Sequence, residues 1–392
     1  MRNVKVCFLT ETMFVTGGVC RVVTSLANAL LQQGVQVEIV CIREDPPRNY
    51  GLFGLNGEIP VHMPEPLLDR KNRYPLRRLL RGINQKKGKI PRSLLDWVYL
   101  PKSEQRALKA FIEEKGYDAV IAAQGRLSLT LARLAPSLRC RCLGWQHSTF
   151  EAYFRTKGTY YWNRDELYRK YLKNLYRYVV INDQDVAKVS GAFGADNVQR
   201  IYNMVPPVAV PHVKPPEERR YDVIFVGQLR REAKGLDYLI GILAAMKQRR
   251  PHLRAVIVGD GQDRDFLKDA LAANGLTECV DCVGFHTDVG AWYAESRLLA
   301  VTSRWEGFSL VAVEAMSAGL PVVAFASPGP VEILTNTGAG ALIECFDTKA
   351  FSEAALSLLE DPEGYANMSE AARKRAGDFT PERIVSEWMD LL

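Results

Sequence analysis

The chain has 392 residues, more than one hydrophobic core usually supports, so two domains are expected. Hydrophobic residues make up 47% and charged residues 24%, a globular balance that excludes a disordered or fibrous chain. The net charge of +6 suits an anionic ligand or an anionic membrane surface and does not demand nucleic acid.

The start, MRNVKVCFLTE, reads directly as a strand rather than a secretion signal, because its apolar run is short and followed by Glu11. No stretch reaches the apolar length needed to span a bilayer, so a cytoplasmic protein is expected. Of the eight cysteines, Cys7, Cys41 and Cys142 lie in apolar strand-like runs, as in a reduced compartment. Cys279 and Cys282 have C-x-x-C spacing without a second pair, and are expected to be buried strand residues.

A β-branched run at 3–9 is followed by the Gly17-Gly18 turn. Val19, Val22, Val23, Leu26 and Leu30 then recur at helical spacing up to Gly34, and a second strand follows at 35–41. Residues 70–92 carry ten Lys or Arg and no acid. There Leu76, Leu79, Leu80 and Ile83 share one helical face, with Arg77, Arg78 and Arg81 largely opposite. This reads either as a short interfacial helix on an anionic membrane or as a solvated basic loop. No nucleic-acid motif accompanies it. Further strands are expected at 118–123, 141–145, 177–181 and 198–202. The tyrosine-rich stretch 153–178, with Trp162, either lines an acceptor groove or packs.

The proline-rich stretch 204–220 reads as a connector. After it the strand–helix alternation restarts with YDVIFVG, LRAVIVGD, CVDCVGF, LLAVTS and PVVAF. The expected organisation is an N-terminal domain over 1–203, a linker over 204–220 and a C-terminal domain over 221–378. A last helix over 379–392 is expected to cap one of the halves, packing back on the N-terminal domain in the preferred reading. Two such halves imply a cleft, with ligands at the carboxyl ends of the strands.

Residues 303–325, SRWEGFSLVAVEAMSAGLPVVAF, carry the strongest chemistry. Glu306 ends a strand and loop, Gly307 permits a tight backbone, and Phe308 to Ala318 reads as a helix. The helix start near Ser309 and Leu310 offers N–H groups and a positive dipole end to a phosphate. A carboxylate just before that helix can bond sugar hydroxyls, and one two turns on, Glu314, can hold a ribose. The blander reading is a buried strand–helix unit with two incidental glutamates. Against it, Val313, Ala315 and Met316 make a costly setting for an idle charge at Glu314. Asp183 with Asp185, and Asp263 with Asp265, have D-x-D spacing. Both pairs open helical segments, where aspartates are favoured electrostatically, and no second ligand cluster accompanies them. No metal site is expected.

The stretch EGFSLVAVEAMSAGLPVV, with seven residues between Glu306 and Glu314, resembles the hallmark of glycosyltransferase family 4. That family has the GT-B fold: α/β, with two Rossmann-like parallel-sheet domains facing across a cleft. The resemblance implies that Glu306 contacts a donor sugar, Glu314 the ribose, and the backbone from Gly307 and Phe308 to Ser309 and Leu310 a diphosphate. FVGQLRREAKGLDYLI resembles the family's strand–loop–helix, in which Lys234 would bind the diphosphate. Many relatives carry Arg directly after the loop glycine; here Gln228 stands there, and Arg230 or Arg231 would supply the cation.

Gly17-Gly18 resembles the family's glycine loop, whose backbone approaches the donor phosphate. A lone His is more often structural, but His147 resembles the histidine that bonds the donor sugar. Phe285 and His286 lie in a stretch that resembles the base-reading segment. Glu306, His147 and Lys234 are thus the expected catalytic groups.

The implied activity is a retaining transfer from a sugar nucleotide, of UDP type, without metal or other cofactor. The implied acceptor is a saccharide or lipid-linked oligosaccharide in bacterial-type polysaccharide synthesis, and the basic stretch 70–92 would allow a peripheral place on the inner face of the plasma membrane. A sugar-nucleotide 2-epimerase shares the fold and would need no acceptor. A non-catalytic sugar-nucleotide binder would never release nucleoside diphosphate.

Overall fold

The computed structural model describes residues 4–43, 48–67, 75–88, 90–158, 160–210 and 214–392. It divides into two compact units, Met1–Met204 with Pro381–Leu392, and Val205–Thr380.

In unit 1 the elements run β1 (Lys5–Thr10), α1 (Gly18–Gln32), β2 (Gln36–Cys41), β3 (Val61–His62) and α2 (Pro75–Lys87). Then come α3 (Arg92–Tyr99), α4 (Lys102–Lys115), β4 (Ala119–Ala122), α5 (Gly125–Leu134) and β5 (Arg141–Trp145). The last before the crossing to unit 2 are α6 (Asp165–Tyr171), β6 (Arg177–Val180), α7 (Asp183–Phe193) and β7 (Val198–Arg200). The sheet order is β3-β2-β1-β4-β5-β6-β7, every pair parallel. Parallel strands covered on both faces are buried throughout, which is why β4 reads as an unbroken apolar run rather than an alternation.

Unit 2 repeats the plan. Its elements are β8 (Tyr221–Val226), α8 (Arg231–Lys234), α9 (Leu236–Arg249), β9 (Ala255–Val258), α10 (Arg264–Ala273) and β10 (Val280–Gly284). They continue with α11 (Gly290–Ala294), β11 (Ser296–Val301), α12 (Leu310–Ser317), β12 (Val322–Phe325) and α13 (Pro328–Leu334). β13 (Gly340–Ile343), α14 (Thr348–Glu360) and α15 (Pro362–Ala376) complete it. The order is β10-β9-β8-β11-β12-β13, again all parallel. Both sheets therefore have the Rossmann arrangement, in which the strand order reverses beside the first strand.

The final helix, α16 (Pro381–Met389), belongs to unit 1. Its Trp388 is fully buried and packs edge-on against Trp145 with ring centroids 4.9 Å apart. Arg141 Nη1 donates to the Leu391 carbonyl at 3.2 Å. The stretch 204–220 holds more than a connector. Arg219 is buried, and its Nη1 donates to the Ser296 carbonyl at 2.9 Å and the Tyr365 hydroxyl at 3.1 Å.

Three local expectations change. Cys282 is exposed, because β10 is an edge strand that leaves one face to solvent, while Cys279 is buried. The helix after Glu306 starts at Leu310, since Ser309 takes a left-handed backbone that precludes helix before it. In α2, Leu80 packs on the core while Arg77 and Arg81 turn onto protein: Arg77 lies over the Trp97 ring at 4.7 Å, and Arg81 Nε donates to the Val98 carbonyl at 3.1 Å. Of the ten basic residues in 70–92, Arg70, Lys71, Arg73 and Lys89 fall outside the described residues. In the tyrosine-rich stretch, packing accounts for Tyr153, Tyr161 and Tyr168, which are buried together with Phe154.

Trp388→Ala should cost unit 1 about 3–5 kcal/mol, the usual penalty for emptying a large aromatic site. Chemical denaturation should show this as a lowered midpoint; an unchanged midpoint would mean that α16 contributes nothing to unit 1.

Candidate active site

In unit 2 the strand order reverses between β8 and β11, so the loops leaving these neighbouring strands emerge together at their carboxyl ends. After β8 the chain passes through Gly227 to α8, which ends at Gly235 with φ 63°. A Cβ on Gly235 would fall 2.1 Å from the Thr302 carbonyl oxygen, so only glycine lets the two loops abut there. Thr302 Oγ1 then donates to the Lys234 carbonyl at 2.9 Å. Similarly, a Cβ on Gly259 would fall 1.8 Å from the Gly227 carbonyl oxygen, joining the β9 loop to the same region.

This approach sets the Lys234 ammonium 2.6 Å from Glu306 Oε2, with side-chain exposures of 26% and 16%. Ser303 Oγ donates to the same oxygen at 3.4 Å. Arg304 fastens the loop from the other direction. Its guanidinium makes two bonds to Asp237, at 3.0 and 2.6 Å, and a third to the Arg231 carbonyl at 2.9 Å. Burial opposes the Asp237 charge, but the Arg304 bonds outweigh it and hold that carboxyl below its usual range. Sequence reasoning missed Ser303 and Arg304. The signal was present in SRWEG, where both sit within three residues of Glu306.

Beyond Glu306 the backbone is propped by the loop that opens α13. Gly329 N–H donates to the Glu306 carbonyl at 2.8 Å, and a Cβ on Gly329 would meet Phe308 N at 2.7 Å. The Phe308 ring is buried against Phe379. Ser309 has φ 73°, is buried, and its Oγ has no hydrogen-bond partner among the described residues. A left-handed serine costs about 1 kcal/mol or more, strain of the kind that clusters at binding sites. Ala312 and Val313 N–H donate to the Ser309 carbonyl at 3.1 and 3.4 Å, so the Leu310 and Val311 N–H groups lie ahead of the first bonds of α12, at the positive end of the helix dipole. Glu314 is 1% exposed inside α12, where the Tyr293 hydroxyl donates to Oε2 at 3.3 Å.

The structure thus brings Lys234, Glu306, Gly307, Ser309 and Leu310 to one end of the sheet, with Glu314 further along the same helix. The other expected residues of unit 2 stand differently. Arg230 is exposed, and Arg231, also exposed, lies over the Phe266 ring at 4.5 Å. Asp263 accepts from the Arg231 backbone N–H at 2.6 Å, so this aspartate serves as a loop anchor. Phe285 and His286 follow β10 at the sheet edge. Phe285 is exposed, and the His286 ring lies 5.3 Å from Trp292 with Nε2 3.2 Å from the Val283 carbonyl.

Unit 1 holds the remaining expected residues. Gly17 is extended and Gly18 opens α1; no atom lies within 4 Å of where either Cβ would stand, so local packing does not demand glycine. His147 follows β5 and lies against Trp145, ring centroids 4.3 Å apart. Neither ring nitrogen has a hydrogen-bond partner among the described residues, and burial pushes the pKa down to about 3. The imidazole is therefore neutral at neutral pH.

Asp185 anchors this loop: its Oδ2 accepts from Gln146 Nε2 at 2.9 Å and from Phe150 N–H at 2.8 Å. Burial raises the Asp185 carboxyl to about 6. Its partner Asp183 bonds Arg200. No group of three or more His, Cys, Asp or Glu among the described residues is placed to hold a metal ion.

Residues 16–209 match the family model described as Glycosyltransferase Family 4, and residues 211–375 match the model for Glycosyl transferases group 1. An uncharacterized glycosyltransferase of Haemophilus influenzae is 26% identical, with 99% of each chain covered. The amylovoran biosynthesis glycosyltransferase AmsD of Erwinia amylovora is 26% identical, over 74% of this chain and 84% of its own. Among solved structures, HepE of Anabaena in complex with UDP and glucose superposes with a TM-score of 0.72 at 19% identity, covering 99% of this chain and 98% of that one. With glycosyltransferase models matching both halves and the GT-B fold in place, the chain is a glycosyltransferase of the family 4 type, transferring a sugar from a nucleotide donor.

Proposed function

We propose that the enzyme uses a UDP-type donor and transfers its sugar, with retention of configuration and without a metal ion, to a saccharide or lipid-linked oligosaccharide in bacterial-type polysaccharide assembly. The observation that carries this reading is the Lys234–Glu306 pair, 2.6 Å apart, where the β8 and β11 loops meet just before the start of α12. A cation, a carboxylate and a helix N-terminus there suit a sugar diphosphate. The ammonium and the amides face the phosphates, and Glu306, once Lys234 turns to phosphate, accepts from sugar hydroxyls. Glu314, buried on the same helix, suits the ribose hydroxyls.

In the proposed step the bond from the anomeric carbon to the diphosphate oxygen breaks while a bond to the acceptor hydroxyl oxygen forms on the same face. The hydroxyl proton passes to the leaving diphosphate oxygen, which is why no separate base is required. The leaving group gains charge as the bond breaks, and Lys234 with the α12 amides stabilises that charge more than the ground state. His147, held neutral, is suited to bond a sugar hydroxyl from unit 1, and Gly17-Gly18 to let backbone approach a phosphate. The Anabaena HepE structure contains UDP and glucose, and AmsD takes part in amylovoran biosynthesis; both favour a UDP donor and a glycan acceptor.

Nucleoside diphosphate release from a panel of sugar nucleotides, with EDTA and with and without acceptor lipids, tests the reading. One donor should be turned over, EDTA should leave the rate unchanged, and acceptor should raise it; a donor sugar altered without any acceptor would mark an epimerase instead. Glu306→Ala and Lys234→Ala should each lower turnover by about 10²–10³-fold while the protein stays folded; near-native turnover of either variant would remove its assigned role. Gly235→Ala should reach the same outcome indirectly, by forcing the Lys234 loop off Thr302, with UDP affinity and turnover falling together. Unchanged UDP affinity would show that this close approach does not shape the donor site.

A further inference from the structure

The face that α2 turns to solvent is apolar. Leu76 is 58% exposed, Leu79 61% and Ile83 37%, and their i, i+3, i+7 spacing aligns them in one stripe. By the helical repeat, Lys86 and Lys87 fall on either side of that stripe, and both are exposed. The opposite face is the polar one, and it is turned inward. Besides Arg77 over Trp97 and Arg81 on the Val98 carbonyl, the buried Asn84 donates to the Tyr99 hydroxyl at 3.0 Å. Of the α2 leucines only Leu80 packs on the core, whereas an ordinary surface helix buries its apolar stripe. The next helix, α3, also exposes Leu94 and Trp97, the latter beneath Arg77. Single exposed apolar side chains are common, but an aligned stripe on a helix that turns Arg77, Arg81 and Asn84 inward marks a docking face.

Charge selects the occupant. Residues 70–92 contain ten Lys or Arg and no acid, and Arg78 and Arg92 are exposed as the two lysines are, Arg92 lying 3.5 Å from Glu166. A matching surface is apolar within and negative at its rim. A second copy of this chain would set the same basic residues against each other, which is repulsive. An anionic leaflet meets both demands, acyl chains taking the leucines and headgroups the lysines. We propose that α2 is a membrane-docking helix that lies in the interface of an anionic bilayer through Leu76, Leu79 and Ile83, with Lys86 and Lys87 on the headgroups. This docking adds an interaction surface to the proposed transferase and does not depend on its donor. Apolar insertion and electrostatic attraction are each weak alone and act together as a reversible anchor.

Co-sedimentation of the full chain with vesicles of phosphatidylcholine and phosphatidylglycerol, beside vesicles of phosphatidylcholine alone, tests the proposal. The chain should pellet with the anionic vesicles and be released by salt. A Leu76→Ser, Leu79→Ser double variant should lose vesicle affinity by about tenfold or more. A Lys86→Glu, Lys87→Glu variant should lose more than about tenfold at low salt, with a difference from the parent that salt erases. All four side chains are exposed, so circular dichroism and UDP affinity should match the parent. Equal affinity for neutral and anionic vesicles, no pelleting, or native affinity in both variants would overturn the proposal. A concentration-dependent dimer abolished by the serine variant would also overturn it, by giving the stripe to a second copy.

Discussion

The organisation of unit 2 depends on one close approach, the Gly235 backbone against the Thr302 carbonyl, where a Cβ would fall at 2.1 Å. It joins the loops that leave two adjacent strands at the point where strand order reverses. From it follow the Thr302 bond to the Lys234 carbonyl, the Lys234–Glu306 pair, and the Arg304 clasp on Asp237. Arg304 and Gly329 hold the Glu306 loop from two sides, so the carboxylate is positioned by covalent neighbours that are themselves fixed. Preorganisation of this kind is what electrostatic stabilisation of a charged leaving group requires, because little reorientation remains to be made during reaction.

The same economy governs unit 1 in a different way. Trp388 from the chain's last helix fills the space beside Trp145, and Trp145 in turn backs His147. Asp185 secures the loop on the other side through Gln146 and Phe150. Sequence-distant elements thus converge on one histidine whose ring nitrogens are left without protein partners among the described residues.

Much of this was legible in the sequence, and the parts that were not share a cause. The strands announce themselves because parallel, doubly covered strands are continuous apolar runs, and the helix of Glu314 because a buried carboxylate among Val313, Ala315 and Met316 has no idle explanation. The positive φ of Ser309 gave no sign, since serine has no special signature in left-handed backbone; the expected helix start was therefore early. Arg304 looked like any surface arginine until Asp237, far away in sequence, met it. Arg230 or Arg231 was the expected phosphate cation by position; both are exposed, and the Arg231 guanidinium lies over Phe266. For α2 the amphipathic pattern was visible, but periodicity does not say which face turns inward. Aromatic partners on α3 draw Arg77 and Arg81 in, and only the packed structure shows Leu76, Leu79 and Ile83 left outside.

In the proposed function the β8 and β11 loops and the start of α12 bind the nucleoside diphosphate. Hydrogen exchange of the full chain with and without saturating UDP measures this directly. Slowed exchange is expected, concentrated at residues 227–235 and 306–312. Protection absent from both segments, or confined to other parts of the chain, would contradict it.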